Sequence, residues 1–179
     1  MILFIIIAIV LIAVITIIFV VVSHMKKTER QKYYAAAGNI LREQFLNYSL
    51  QNTISPYSNI SEPKSGKMML YLKSKSSGKK AQFVFDPEKI VKIGRDNNES
   101  NIFINDVSVS QNHCQIYSAE NRVFLQDLYS ANGTLVARGP FRKYDIFQGN
   151  QIELRTGDKI IIGGAVFKVC LFYYDLAVM

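Results

Sequence analysis

Four short clusters in the second half of the chain carry side chains able to hold an anion or move a proton. They are Gly94-Arg95, Ser110-Gln111-Asn112-His113, Asp127-Leu128-Tyr129-Ser130-Ala131-Asn132-Gly133-Thr134, and Gly157-Asp158-Lys159-Ile160 leading to Gly163. Arg95 stands where the apolar run IVKIG gives way to the polar DNNES, so it projects from a strand end. A guanidinium there can make a bidentate, charge-assisted contact with phosphate, or it can pair with Asp96 or Glu99 as an ordinary surface arginine. Ser110 precedes a strand and is either a turn former or a hydroxyl donor to an anion. Asn132 with Gly133 reads as an Asn-Gly turn, and Gly157-Asp158 as a hairpin turn. His113 directly precedes CQIY, and no Cys, Ser or acidic residue has the spacing that would make it a catalytic base. Cys114 and Cys170 each sit in an apolar run and read as buried free thiols. With only His24 and His113 besides, no metal-ligand spacing exists. Without a phosphate loop, a nucleophile–base pair or paired carboxylates, the expectation is a protein that is not an enzyme and needs no cofactor and no metal.

These clusters must be held by something, and the surrounding pattern is that of short strands. MMLYLK, AQFVF, IVKIG, HCQIY, RVFLQDL, GTLV, QIEL, KIIIG and AVFKVCLFYY are runs of strand formers broken by turn residues, with no helical stretch between them. Strands at this spacing predict an all-β sandwich or barrel over residues 67–175. Before it, Thr53 to Gly66 holds two prolines and four serines and reads as a linker. Residues 24–52 form a juxtamembrane helix, with Tyr34, Ala37, Leu41, Phe45 and Tyr48 recurring at steps of three and four. That stripe can pair two copies of the chain or lie on a membrane surface. Gly38 weakens the helix. A fragment beginning near Ser65 is expected to fold alone.

The four clusters, in this order and spacing, resemble the signature of the forkhead-associated (FHA) family, namely GR, SxxH, NGT and GD. The resemblance covers roughly Lys67 to Asp175 and implies a β sandwich of about 11 strands whose loops at one end bind phosphothreonine peptides. It implies phosphate contacts from Arg95 and Ser110, with Gln111 beside them, and a hydrogen bond from Asn132 to the peptide backbone. Gly94, His113, Gly133, Thr134, Gly157 and Asp158 become structural positions, His113 bracing the binding loops from within. Departures from the pattern are Ala131, where a hydroxyl or basic side chain is common, and the neutral Gln111 and Asn112, all of which lower the expected affinity. The stretch GPFRKYDIFQGNQIEL is also longer than usual.

At the other end of the chain, Ile2 to Val22 is a run of 21 residues with no charge and only Thr16 polar. As a helix it spans roughly 30 Å, the hydrocarbon thickness of a bilayer. It lacks the basic n-region and small-residue cleavage site of a signal peptide, and so reads as an uncleaved anchor over residues 1–23. Lys26, Lys27, Arg30 and Lys32, opposed by Glu29, follow it directly, and the positive-inside rule puts the body in the cytoplasm. The formal net charge is +7, yet from Lys67 onward 15 Lys or Arg face 11 Asp or Glu, scattered without interleaved aromatics, so nucleic acid is not an expected partner. The combined expectation is a single-pass membrane adaptor. It recruits a threonine-phosphorylated protein, made by an upstream serine/threonine kinase, to the inner face of the cell membrane. A scaffold that binds without phosphate is the alternative. The layout resembles that of bacterial proteins of cell-wall synthesis and division. Thr53, with Pro56 three residues on, is either a solvated linker residue or a ligand for the domain itself, which would give phosphorylation-dependent self-association.

Overall fold

The structure, a computed structural model, describes residues 2–54, 66–76 and 79–175, and divides into two compact units, Met1–Ala36 and Ala37–Met179. The first unit is the leading part of a single helix, α1 (Ile2–Ile54). The large apolar side chains described between Phe4 and Val22 are exposed, and the helix is long and apolar enough to cross a membrane by length and composition. Thr16 turns its hydroxyl back on the Ala13 carbonyl at 2.8 Å, so the one polar side chain of the run satisfies its hydrogen within the helix. Farther along, the Arg30 guanidinium lies 5.2 Å from the centroid of the Tyr34 ring and donates to its hydroxyl.

Among the described residues the second unit contains eleven strands in two sheets. They are β1 (Gly66–Ser76), β2 (Lys79–Phe85), β3 (Val91–Gly94), β4 (Ile102–Phe103), β5 (Cys114–Ala119), β6 (Arg122–Asp127), β7 (Thr134–Arg138), β8 (Arg142–Ile146), β9 (Gln151–Glu153), β10 (Lys159–Ile162) and β11 (Ala165–Asp175). One sheet runs β2-β1-β11-β10-β7-β8 and the other β4-β3-β5-β6-β9, antiparallel throughout except where β4 lies parallel to β3. Strand alternation builds the core: Leu70 and Leu72 of β1, Ile116 of β5, Leu125 of β6, Ile160 of β10 and Val169 of β11 point inward and are fully or almost fully buried. The β5–β6 hairpin closes on Glu120 and Asn121, both at positive φ, the backbone that a tight two-residue hairpin requires.

The apolar run MMLYL is continuous because β1 is buried on both faces. Leu70 and Leu72 face the sandwich core, while Lys67 and Met69, paired with Tyr174 and Phe172 of β11, lie on the other face and are buried as well. The later part of α1 covers them. Ala37 and Leu41 are completely buried, and a Cβ at Gly38 would come within 2.5 Å of the Tyr174 hydroxyl, so Gly38 permits a close approach of helix to strand. A polar clasp completes the contact. Lys67 Nζ donates to Asp86 at 2.5 Å and to Gln44 Oε1 at 3.0 Å, and Gln44 Nε2 donates to Asp86 at 2.7 Å. Residues 37–44 therefore pack on the sandwich rather than standing apart from it, and the stripe Ala37–Leu41 finds its partner within the chain. Of the expected linker, residues 55–65 lie outside the described residues, as do Pro56 and the side chain of Thr53.

Candidate functional site

The strand directions bring three of the four clusters to one end of the sandwich. The loops there are 95–101 after β3, 104–113 between β4 and β5, and 128–133 between β6 and β7, joined by the Gly163–Gly164 turn between β10 and β11. Gly94 must be glycine, because a Cβ there would run into the carbonyl oxygen of Gln111. That close approach locks the first loop to the second: the Arg95 amide donates to Ser110 O at 2.9 Å and the Asp96 amide to Gln111 O at 3.2 Å.

Arg95 leaves this junction exposed, with its Nε donating to Val109 O at 3.1 Å. That bond uses the inner nitrogen of the guanidinium and leaves its two terminal nitrogens, the edge that matches a phosphate or carboxylate, without a partner among the described residues. Neither nearby carboxylate takes it up. Asp96 accepts the Asn98 amide, and Glu99 pairs with Lys92 at 3.7 Å while accepting from Asn112. Ser110 Oγ accepts the Ala131 amide at 3.0 Å, which ties the second loop to the third and leaves the hydroxyl hydrogen free to donate. Asn132 Nδ2 donates to Ser108 O at 2.7 Å, so its Oδ1 and second N–H remain for a ligand. Gln111 is exposed beside them.

His113 is fully buried beneath this surface. The Ser110 amide donates to its Nδ1 at 3.1 Å, and its Nε2 lies 3.0 Å from Gly133 O. With Nδ1 accepting, the geometry fixes the tautomer with hydrogen on Nε2, which donates to that carbonyl. One imidazole thus clasps the Ser110 and Asn132 loops together, and nothing about it resembles a base presented to solvent. Asp127 does the same work within the third loop. It continues the inward alternation of β6, is fully buried, and accepts from the Ser130 amide at 3.0 Å, the Ser130 hydroxyl at 2.6 Å and the Thr134 hydroxyl at 3.0 Å. Asp106 ties the second loop to the β10–β11 turn. Its carboxylate accepts from Ser108 N at 2.9 Å, Ser108 Oγ at 2.7 Å and Gly164 N at 3.1 Å, and these bonds, Ser108 Oγ foremost, hold its pKa below the ordinary carboxylate value.

Residues 91–163, which include these loops, match the family model of the FHA domain. Over those residues the β body carries an FHA domain. Its fold is similar to the solution structure of the FHA domain of an Arabidopsis thaliana hypothetical protein, with 21% identity, a TM-score of 0.50, and coverage of 66% of this chain and 95% of that one. A Chlamydia trachomatis FHA domain matches at 25% identity and TM-score 0.47, covering 56% of this chain and 95% of that one. Mycobacterium tuberculosis EmbR, in complex with a low-affinity phosphopeptide, matches at 20% and 0.44, covering 69% of this chain and 28% of that one. The comparison with curated proteins finds no match.

The fourth cluster lies at the opposite end of the FHA domain. Gly157, at φ +99, turns the chain into β10, and Asp158 is buried with its carboxylate bridging Arg138 Nε at 2.8 Å and Nη2 at 2.7 Å and capping the Arg155 amide at 2.8 Å. The Asp158 carboxylate also raises the pKa of Arg138. This is a strut of the fold, far from the loops. Cys114 is fully buried and burial pushes its thiol pKa up, which suits an inert core thiol. Sequence reasoning singled out Arg95, Ser110, Gln111, His113 and Asn132, and the structure brings all five to one end. It assigned no role to Asp106, Ser108 or Asp127. Asp127-x-x-Ser130, an acid three residues before a serine at a strand end, is the local signal that could have found the last of these.

Proposed function

We propose that the chain is a membrane-tethered reader of phosphothreonine, an adaptor that performs no chemistry itself and recruits a phosphorylated protein to the cytoplasmic face. The observation that carries the reading is Arg95: an exposed guanidinium whose Nε donates to Val109 O, with neither neighbouring carboxylate engaging it. Ser110 and Asn132 flank it with a hydroxyl hydrogen and a free amide edge. A phosphothreonine brings roughly 1.5 to 2 negative charges and three acceptor oxygens to such a site. Arg95 binds the phosphate, Ser110 donates a hydrogen bond to it, Gln111 lies within reach, and Asn132 holds the peptide backbone beside it. An upstream serine/threonine kinase makes the ligand. Ile2 to Val22 is the tether, and Lys26, Lys27, Arg30 and Lys32 set the body in the cytoplasm. Residues 37–44 pack against the end of β1 and β11 opposite the loops.

Ala131 favours a second reading, a scaffold that binds its partner without phosphate. It brings no side-chain donor to the site, and its amide is already engaged by Ser110. A panel of phosphothreonine peptides and their unphosphorylated counterparts, titrated against the full chain in detergent, separates the two. Selective binding of the phosphorylated members supports the reader, and equal binding of both forms leaves the scaffold.

A further inference from the structure

Tyr129 sits in the β6–β7 loop at φ +56, a left-handed conformation that bulky side chains rarely adopt. It is 79% exposed, and among the described residues its ring and hydroxyl have no hydrogen bond, ion pair or aromatic partner. Glycine or asparagine would hold this backbone at lower cost, so the fold alone does not account for a tyrosine. Its ring leans on the β8–β9 loop: a Cβ on Gly149 would lie 3.2 Å from its Cζ and hydroxyl. The same loop supplies Phe147, 44% exposed, whose ring covers Gly133, the residue after Asn132. Gln148 between them is also held at positive φ, +53. The long segment before β9 therefore delivers a second aromatic ring to the reading end and a flat glycine against which the first one rests.

Sheet order fixes where this pair lies relative to the rest of the site. Strands β8 and β9 are edges of their sheets, so the loop joining them closes the same side of the sandwich, while Arg95 lies toward the β4 edge. A ligand held by phosphate at Arg95 and by its backbone at Asn132 continues onto Tyr129 and Phe147. We propose that these two rings form a subsite for an apolar side chain of the phosphopeptide, on the far side of the residue that Asn132 holds, and that Tyr129 sets this specificity. Exposed aromatic rings contiguous with a polar anchoring site are suited to an aliphatic, proline or aromatic residue, which they shield from water while backbone contacts fix its position. This inference rests on the phosphothreonine reading and adds to it the class of residue read beside the phosphate. A groove of ≈510 Å³ at the opposite, β2–β4 edge, lined by Ala81, Phe83, Phe103 and Asp106 among others, is the competing place for such a side chain.

The test uses the full chain in detergent and one phosphothreonine peptide varied singly at each flanking position between leucine and alanine. Wild type should prefer leucine at one position on one side of the phosphothreonine, by roughly 5-fold to 20-fold. Tyr129→Gly and Tyr129→Asn both suit the left-handed backbone, so they should melt at the same or a higher temperature than wild type and bind the all-alanine phosphopeptide as wild type does. They should lose the leucine preference, and Tyr129→Phe should keep it. A leucine preference that survives in both Tyr129→Gly and Tyr129→Asn overturns the proposal and points to the β2–β4 groove. Phosphopeptide binding with no flanking preference in wild type overturns it while leaving the phosphothreonine reading intact. Absence of any phosphate-dependent binding removes both.

Discussion

Each loop-end residue makes a bond that its neighbours cannot replace, and the expected losses differ accordingly. Ser110→Ala removes the hydroxyl proposed to meet the phosphate and also strands the Ala131 amide, so peptide affinity should fall by about 1 kcal/mol, roughly 5-fold, in a calorimetric titration. Asn132→Ala should weaken binding of phosphorylated and unphosphorylated peptides by similar factors, since its proposed partner is peptide backbone; a loss confined to the phosphorylated form would place the amide on the phosphate instead. His113→Ala leaves the Ser110 amide and the Gly133 carbonyl without partners, and a buried unsatisfied group costs about 1 to 3 kcal/mol, so this variant should unfold at a lower denaturant concentration than any of the surface changes. Asp106 gives a pH signature. Its folded pKa lies below the ordinary 3.8, so its contribution is complete above that value and is lost as pH falls through the folded pKa. The amide resonances of Ser108 and Gly164 should hold steady from neutral pH to about 4 and move only below it. Arg95, Ser110, His113 and Asn132 were legible because a short ordered signature carries them. Asp106 and Ser108 were not, since their partners at Gly164 and Asn132 lie 58 and 24 positions away in the chain and only the closed sandwich makes them neighbours.

Among the elements, the strands that alternate cleanly were readable and the two that barely do so were not. β4 is two residues, Ile102 and Phe103, paired in parallel to β3, and β8 exposes three of its five residues as an edge, so neither displays a period long enough to see. The helix over 24–52 was visible from its spacing, whereas its docking face was not, because Ala37 and Leu41 look the same whether they meet a membrane, a second copy or a sheet. The unbroken run MMLYL was the available hint, since a strand with one solvated face alternates. Residues 66–179 alone would expose Met69, Phe172 and Tyr174 and leave the Lys67–Asp86 pair without Gln44, so this fragment should melt well below residues 37–179. Each fully buried large apolar side chain contributes about 1.5 to 3 kcal/mol, and at roughly 2 to 4 °C per kcal/mol the gap should exceed about 6 °C by calorimetry. Equal melting temperatures would show that the helix adds nothing to the sandwich. At the far end, Asp158→Ala removes the partner of Arg138 and should cost about 3 kcal/mol or more without changing the loops, so peptide affinity measured well below its melting temperature should stay at the wild-type level.

At the scale of the whole chain, composition alone separates an exposed apolar helix from a sandwich that keeps its reading loops at one end and its helix contact at the other. The four basic residues from Lys26 to Lys32 predict a cytoplasmic body. A reporter that fluoresces only in the cytoplasm, fused after Met179, should be bright, and a dark, stable fusion with an active exported reporter would reverse the topology. The proposed tether carries a proposed phosphate reader, whose binding depends most on one guanidinium. The most direct test is therefore calorimetric titration of the full chain and its Arg95→Ala and Arg95→Lys variants with a bound phosphothreonine peptide and its unphosphorylated twin. Losing a charged hydrogen-bond partner costs about 1.5 to 3 kcal/mol, so Arg95→Ala should bind the phosphorylated peptide roughly 10-fold to 150-fold more weakly and bring the two peptides toward equality. Arg95→Lys should recover only part of that, because an ammonium lacks the planar fork. A folded Arg95→Ala variant with wild-type affinity and undiminished preference for phosphate would contradict the account.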